Sequence, residues 1–399
     1  MELLKRYTSF VNGSFIEAGK GREVNDLNPA NSEKLAVLEY ADEAVLDEAA
    51  KAARKAFKTW GVSDKAYRAG ILNKMADVVE HNAGYLASIE AKDVGKPIGE
   101  ATLQMNLCAS MYRYFAAAIL AQDDTMVLHD GGSISAVIRE PLGVVGLILP
   151  WNAPAMLFSW KAAPALAAGN TIICKPSSTA PLVTLELARL WADVIPAGVL
   201  NVIIGAGSDV GEAMLHHPEI NKFSFTGSTA AGKHIGAVAG ENIIPCTLEL
   251  GGKSANIIFN DAQLDRALQF SMLAILSTQG EVCVGGSRLF IQEDIYDEFL
   301  GKLKEKFEGL KVGDPLDPAS QMGPLVNEEQ LEKVLGYIEI GKNEGAKLVC
   351  GGSRLTGGEY DNGFFVEPTI FEADNNMRIA REEIFGPVLT VIKFKTEEE

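Results

Sequence analysis

Cys283 and Glu249 are the two residues whose setting in this sequence asks for a chemical explanation. Cys283 lies in Thr278-Gln279-Gly280-Glu281-Val282-Cys283-Val284-Gly285-Gly286, flanked by glycines and just before a strand-like run. A free cysteine is most often a small buried hydrophobe. Cys108, on a helical apolar face, and Cys246, just before a strand, fit that description. Cys283 fits it less well, because the glycines around it let backbone and ligand approach closely. Glu249 interrupts the apolar run Thr247-Leu248-Glu249-Leu250 and is followed by Gly251-Gly252-Lys253. A carboxylate in a strand expected to be buried must be paired, protonated or functional.

Two glycine loops could receive an anion. Gly205-x-Gly207-x-x-x-Gly211 follows a strand and opens a helix, one residue longer than a dinucleotide fingerprint. Taken alone, it serves a tight turn that needs small residues as well as it serves a phosphate. Phe225-Thr226-Gly227-Ser228-Thr229-Ala230-Ala231-Gly232 starts a helix with free N–H groups and a serine hydroxyl, a natural anion site. In isolation a plain serine N-cap is the simpler account. His216 and His217 precede Pro218, read as a polar helix end and carry no assignment. Five histidines with no HExxH or Cys/His spacing make no case for a metal.

The elements that must hold these residues show in the periodicity. Apolar positions predict helices over 42–60, 67–81 and 106–120. Between Asp123 and Glu140 the pattern turns to short alternating segments around Asp130-Gly131-Gly132, a β-hairpin projecting from a helical region. From Gly143 the chain becomes rhythmic. Strand-like runs at 144–149, 171–175, 201–204, 222–226 and 247–250 alternate with helical stretches near 155–168, 181–193, 210–216 and 230–239. That rhythm predicts a parallel sheet covered on both faces, with ligands at the carboxyl ends of its strands. A second α/β unit follows, with strands 288–292 and 388–394 and helices 296–311 and 328–343.

Composition narrows the function. The 399 residues are 47% hydrophobic and 22% charged, an ordinary globular balance with room for two or three domains. The net charge of −17 repels phosphate backbones, so no nucleic-acid partner is expected. No apolar run is long enough for a membrane helix, and Met1 to Phe15 has no signal-peptide core. Five scattered cysteines without a CxxC pair read as reduced thiols of a cytoplasmic enzyme.

Six segments in order resemble the aldehyde dehydrogenase superfamily, over nearly the whole chain. They are Pro150-Trp151-Asn152-Ala153-Pro154, Gly169-Asn170-Thr171 through Lys175-Pro176-Ser177, Phe225 to Ser228, Leu248 to Lys253, Gln279 to Cys283, and Glu382-Glu383-Ile384-Phe385-Gly386-Pro387. The resemblance implies a Rossmann-like cofactor domain over 1–122 and 143–251, an oligomerisation hairpin over 123–142 and a second α/β catalytic domain over 252–399. It implies oxidation of a small-molecule aldehyde with NAD or NADP. Cys283 matches the nucleophile, Asn152 the oxyanion donor, Glu249 the general base and Lys161 a proton-relay position. On the cofactor side, Lys175 and Ser178 match the adenine-ribose site, Gly207 and Gly211 the adenine lining, and Ser228, after Phe225 and Gly227, the pyrophosphate contact. Glu383 matches the acid on the nicotinamide ribose and Phe385 the packing near that ring, while Leu149, Pro150, Trp151 and Leu250 match the cofactor wall.

Departures from the family pattern shape the remaining expectations. Ser178 stands where NAD-preferring members often carry Glu, which permits NADP. Ser277-Thr278 and Ala153 replace larger residues and suggest a wider or more polar substrate tunnel. Members normally continue well beyond Glu399, so the catalytic domain is expected to be short and a homodimer or homotetramer to be weakened. The rival reading is a truncated, catalytically impaired relative that binds nucleotide or a partner chain. A coenzyme A-acylating enzyme is a third, disfavoured by Glu249.

Overall fold

β-Branched and apolar runs form the strands of the computed structural model, which describes residues 3–17 and 21–399. Residues 1, 2 and 18–20, inside the expected 1–122 segment and partly inside the amino-terminal stretch read above, lie outside the described residues. The chain divides into two compact units. The first comprises Met1–Asp26, Ala36–Ile89 and Thr102–Glu249, and the second Leu27–Leu35, Glu90–Ala101 and Leu250–Glu399.

In the first unit, five parallel strands follow one another: β1 (Val144–Ile148), β2 (Thr171–Lys175), β3 (Leu200–Val202), β4 (Ile220–Thr226) and β5 (Cys246–Glu249). Their order is β5-β4-β1-β2-β3, continued past β3 by the antiparallel pair Phe10–Val11 and Ser14–Phe15. All five residues of β2 are buried, so both faces of the sheet are covered there. Helices Glu43–Trp60 and Pro154–Ala167 pack against β1 and β2. The first starts where Asp42 accepts the Val45 N–H at 3.2 Å. The strand order reverses beside β1, which opens a crevice at the carboxyl ends.

The hairpin pairs Thr125–Leu128 with Ile134–Val137, and every residue of both strands is exposed. Its turn needs glycine, because Gly131 and Gly132 have φ of 95° and 85°. Helix Ile98–Leu120 begins a full two turns before the expected 106, and helix Ala83–Val94 precedes it.

Segments 27–35 and 90–101 depart from the expected division, since they pack with the second unit. The Phe364 N–H donates to the Pro29 carbonyl at 3.0 Å and the Ile98 N–H to that of Pro315 at 2.8 Å. The chain changes units after Glu249, so Leu250 and Gly251 also belong to the second. That unit holds β6 (Ala255–Ile258), β7 (Arg288–Gln292), β8 (Lys347–Cys350), β9 (Thr369–Glu372) and β10 (Val388–Phe394). They stand in the order β6-β7-β10-β9-β8, with only β8 antiparallel. One core joins Leu289, Ile291, Phe299, Leu303 and Val391. A second gathers Val334, Ile338, Phe371 and Val388 around helix Glu328–Asn343. Helix Tyr296–Glu308 stops three residues short of the expected 311, at Gly309.

Candidate active site

The expected cofactor residues of the first unit fall at the carboxyl ends of its parallel strands. Leu149, Pro150, Trp151 and Asn152 connect β1 to helix Pro154–Ala167, which Pro154 opens in the first-turn position that tolerates proline. The Leu149 N–H donates to the Lys175 carbonyl at 3.0 Å. Leu149 is buried, and Asn152 is only 6% exposed. Lys175 ends β2 with its side chain buried and its ammonium donating to the Pro176 carbonyl at 3.2 Å. Burial pulls the Lys175 pKa down to about 8.

Gly211 lies against the Lys175 stem, where a Cβ would stand 3.4 Å from Lys175 Cε. The segment Gly207–Gly211 forms a π-helical turn before the single-turn helix Glu212–Leu215, in place of the longer helix expected from 210. Ser178 is hydrogen-bonded to the Tyr40 hydroxyl, and the Arg22 guanidinium lies 5.4 Å from that tyrosine ring. Neither Tyr40 nor Arg22 announces itself in the sequence, because both come from far up the chain. Phe225 is buried in β4, and a Cβ on Gly227 would overlap its ring. Ser228 caps helix Thr229–Glu241, accepting the Ala231 N–H at 3.2 Å. That helix end offers N–H groups to an anion.

Glu249 corrects the sequence reading, since it is exposed and not buried. It ends β5, the outermost strand of the sheet, whose residues alternate between half-buried and exposed. Its carboxylate acts on Lys161, which donates to Ser224 Oγ at 2.8 Å. Burial lowers the Lys161 pKa to about 8, and the nearby Glu249 charge opposes that fall.

In the second unit, Cys283 is half-buried in the turn between helix Leu264–Leu276 and β7. The surrounding glycines do allow close approach. A Cβ on Gly252 would stand 3.3 Å from the Cys283 carbonyl oxygen, and one on Gly286 3.1 Å from Ala274 Cβ. Glu383 accepts the Gly252 N–H at 3.2 Å, and its carboxylate fills the space a side chain on Gly251 would need. Gly252, Lys253, Gly280, Val282, Glu383 and Phe385 line one small cleft, so the expected nicotinamide-side residues meet the cysteine loop. Phe385 enters it with φ of 64°, a left-handed setting. Leu250 is half-buried at the start of this unit.

The loop also gathers residues that sequence reasoning left without a role. Glu100 holds Thr278, and Glu281 lies fully buried near the Lys96–Glu90 ion pair. Only charged residues in otherwise apolar surroundings could have hinted at them. Among the described residues no group of three or more His, Cys, Asp or Glu is placed to hold a metal ion, and no helix is long and apolar enough to cross a membrane.

Residues 15–399 match the aldehyde dehydrogenase family. The chain is 44% identical over 407 residues to aldehyde dehydrogenase 1A1 of Gallus gallus, spanning 100% of this chain and 79% of that protein. It superposes on the aldehyde dehydrogenase KauB of Pseudomonas aeruginosa with a TM-score of 0.96 at 42% identity, covering 100% of this chain and 81% of that one. Betaine aldehyde dehydrogenase of Staphylococcus aureus, crystallised with NAD+, gives a TM-score of 0.96 at 35% identity, covering 100% and 79%.

Proposed function

The chain belongs to the aldehyde dehydrogenase family and is an NAD(P)-dependent aldehyde dehydrogenase; from that premise we propose that it makes a carboxylic acid through a thioester on Cys283. The Cys283 thiolate adds to the aldehyde carbon, and the carbonyl electron pair moves onto oxygen. The Asn152 amide and the Cys283 backbone N–H donate to that oxyanion, and an amide suits the task because it has no proton to lose at neutral pH. Bound nicotinamide would supply the acceptor for the hydride that has to leave this carbon before the carbonyl can reform as a thioester. Glu249 then takes a proton from water, the water oxygen bonds to the acyl carbon, and the thiolate departs. Lys161 feels the Glu249 charge and titrates near pH 8, which supports a relay of that proton.

The residues present fit the cofactor. A buried ammonium at the end of β2 meets a glycine without a side chain, and a serine-capped helix of 13 residues starts at the end of β4. Lys175 and Ser178 would hold the adenine ribose, with Gly207 and Gly211 along the adenine. Ser228 and the helix behind it would hold the pyrophosphate, bounded by Leu149, Pro150, Trp151, Phe225, Gly227 and Leu250. Glu383 and Phe385 would hold the nicotinamide end. The exposed Met126, Leu128 and Ile134 of the hairpin support a homodimer or homotetramer.

The observation that carries the reading is the glycine-packed turn that sets the Cys283 loop against Glu383 and Phe385. Cys283→Ala is its test. Turnover, followed as NAD(P)H absorbance on an aldehyde panel, should vanish while cofactor affinity stays near wild type. Residual turnover above about a tenth of wild type would sink the nucleophile assignment.

A further inference from the structure

The turn ahead of Cys283 contains the longest left-handed run among the described residues: Thr278, Gln279 and Gly280 have φ of 46°, 55° and 75°. Gly280 adopts this freely and has to be glycine, because a Cβ there would overlap the Gly386 backbone. Thr278 is β-branched, and left to itself it would leave this region. The Glu100 carboxylate holds it there. One oxygen accepts the Thr278 N–H at 2.9 Å and the other its hydroxyl at 2.6 Å.

Glu100 lies in the first turn of helix Ile98–Leu120, itself anchored where the Ile98 N–H donates to the Pro315 carbonyl. Three residues beyond Thr278, the Glu281 N–H closes the turn on the Thr278 carbonyl at 2.8 Å. The Glu281 side chain, fully buried, accepts the Val326 N–H at 3.1 Å and faces Lys96. The loop is therefore fixed at both of its ends, and Cys283 follows two residues later.

We propose that Glu100 is a positioning residue for Cys283: by holding Thr278 in the left-handed region it sets the direction of the sulfur and of the Cys283 backbone N–H. The proposal rests on Cys283 as the nucleophile. Released from Glu100, Thr278 returns to negative φ and turns the following residues with it. Glu100→Gln can keep the geometry, since its amide oxygen accepts the Thr278 N–H and its NH2 donates to the threonine oxygen. Glu100→Ala cannot.

The test uses the full chain and measures four quantities: kcat, KM, NAD affinity by fluorescence titration, and the rate at which iodoacetamide alkylates Cys283, mapped by peptide mass. A displacement of about 1 Å at a reacting atom costs about a hundredfold in rate. Glu100→Ala is accordingly expected to lose about a hundredfold in kcat and to slow Cys283 alkylation about tenfold or more, with NAD affinity within about twofold. Glu100→Gln should stay within about fivefold of wild type in kcat, which a requirement for the negative charge would not allow. Should Glu100→Ala fail to fold, Thr278→Val replaces it, removing the hydroxyl donor at constant shape; a tenfold or so loss of kcat with slowed alkylation is then expected. The proposal is overturned if the folded Glu100→Ala, or Thr278→Val in its place, keeps kcat and alkylation within about threefold, or if Glu100→Gln is as slow as Glu100→Ala. Failure of the thioester reading shows separately, as turnover by Cys283→Ala.

Discussion

Replacing Lys175 by methionine should make the first unit more stable and the enzyme worse. The Lys175 side chain is 4% exposed, and burial pulls its pKa from 10.5 to about 8. Its titratable neighbour by sequence, the Cys174 thiol, is itself pushed up by burial, so at pH 7 it is neutral and offers the ammonium no counter-charge. A fall of about 2.5 pH units corresponds to about 3 kcal/mol at 1.36 kcal/mol per unit. Between about pH 8 and pH 10.5 the unfolded chain holds a proton that the folded chain has lost, so stability rises with pH across that window. Below about pH 8 the whole penalty remains. Lys175→Met removes it and gives up one hydrogen bond to the Pro176 carbonyl, worth about 1 kcal/mol. The net gain at pH 7 is about 2 kcal/mol, or roughly 4–8 °C in Tm for a unit of this size.

The assay is convenient, because Trp60, Trp151, Trp160 and Trp191 all lie in the first unit. Tryptophan fluorescence during urea or thermal unfolding reports on that unit alone. The difference between variant and wild type should shrink steadily as pH rises from about 8 to 10.5. Lys161 also titrates near 8, but it is present in both proteins and cancels in the difference. In the same variant NAD(P) affinity should fall about tenfold or more if the ammonium meets the ribose hydroxyls. A less stable variant at pH 7, or a gain that does not change with pH, refutes the desolvation argument.

Other outcomes follow from the same residues. Glu249→Gln should acylate faster than it deacylates, so intact mass after brief exposure to aldehyde and cofactor should show an acyl adduct; an unmodified, equally slow enzyme would remove the base role. Ser178→Glu places a carboxylate at the expected ribose site, where repulsion of a 2′-phosphate is worth about 1–3 kcal/mol in a half-buried setting. The ratio of kcat/KM for NADP to that for NAD should drop about tenfold or more, and a ratio within about twofold of wild type rejects the assignment. Lys96→Met should behave opposite to Lys175→Met, costing about 3–5 kcal/mol because it strands a buried Glu90; chemical denaturation that leaves the midpoint unmoved would contradict this.

The parallel sheet was legible because β1, β2 and β4 are runs that helices cover, and burial on both faces needs near-continuous apolar sequence. Cys283 stood out through flanking glycines such as Gly286, which close approaches demand, whereas Glu383 came only from the family resemblance. Glu249 misled, because an apolar-looking run at a sheet edge keeps one face exposed. Segment 90–101 was assigned to the wrong unit for a different reason. Nothing in its own residues says which unit it joins, because that depends on partners such as Pro315, Pro324 and Thr278, far along the chain.

Buried charge is where the two units part ways, and the sequence alone could not have separated the cases. Lys96 and Lys175 both end fully or nearly buried. Lys96 meets Glu90 at 2.6 Å with neither side chain exposed, so its charge is compensated within the fold, and it also acts on the buried Glu281 ahead of Cys283. Among the described residues Lys175 meets no such acid, and its burial is a standing cost to the first unit. A group that folding alone disfavours is kept when something outside the fold rewards it. The proposed ribose contact would supply that reward: a ligand rich in hydroxyl or phosphate oxygens, bound at the end of β2, should raise the Lys175 pKa and return the stability that burial removed.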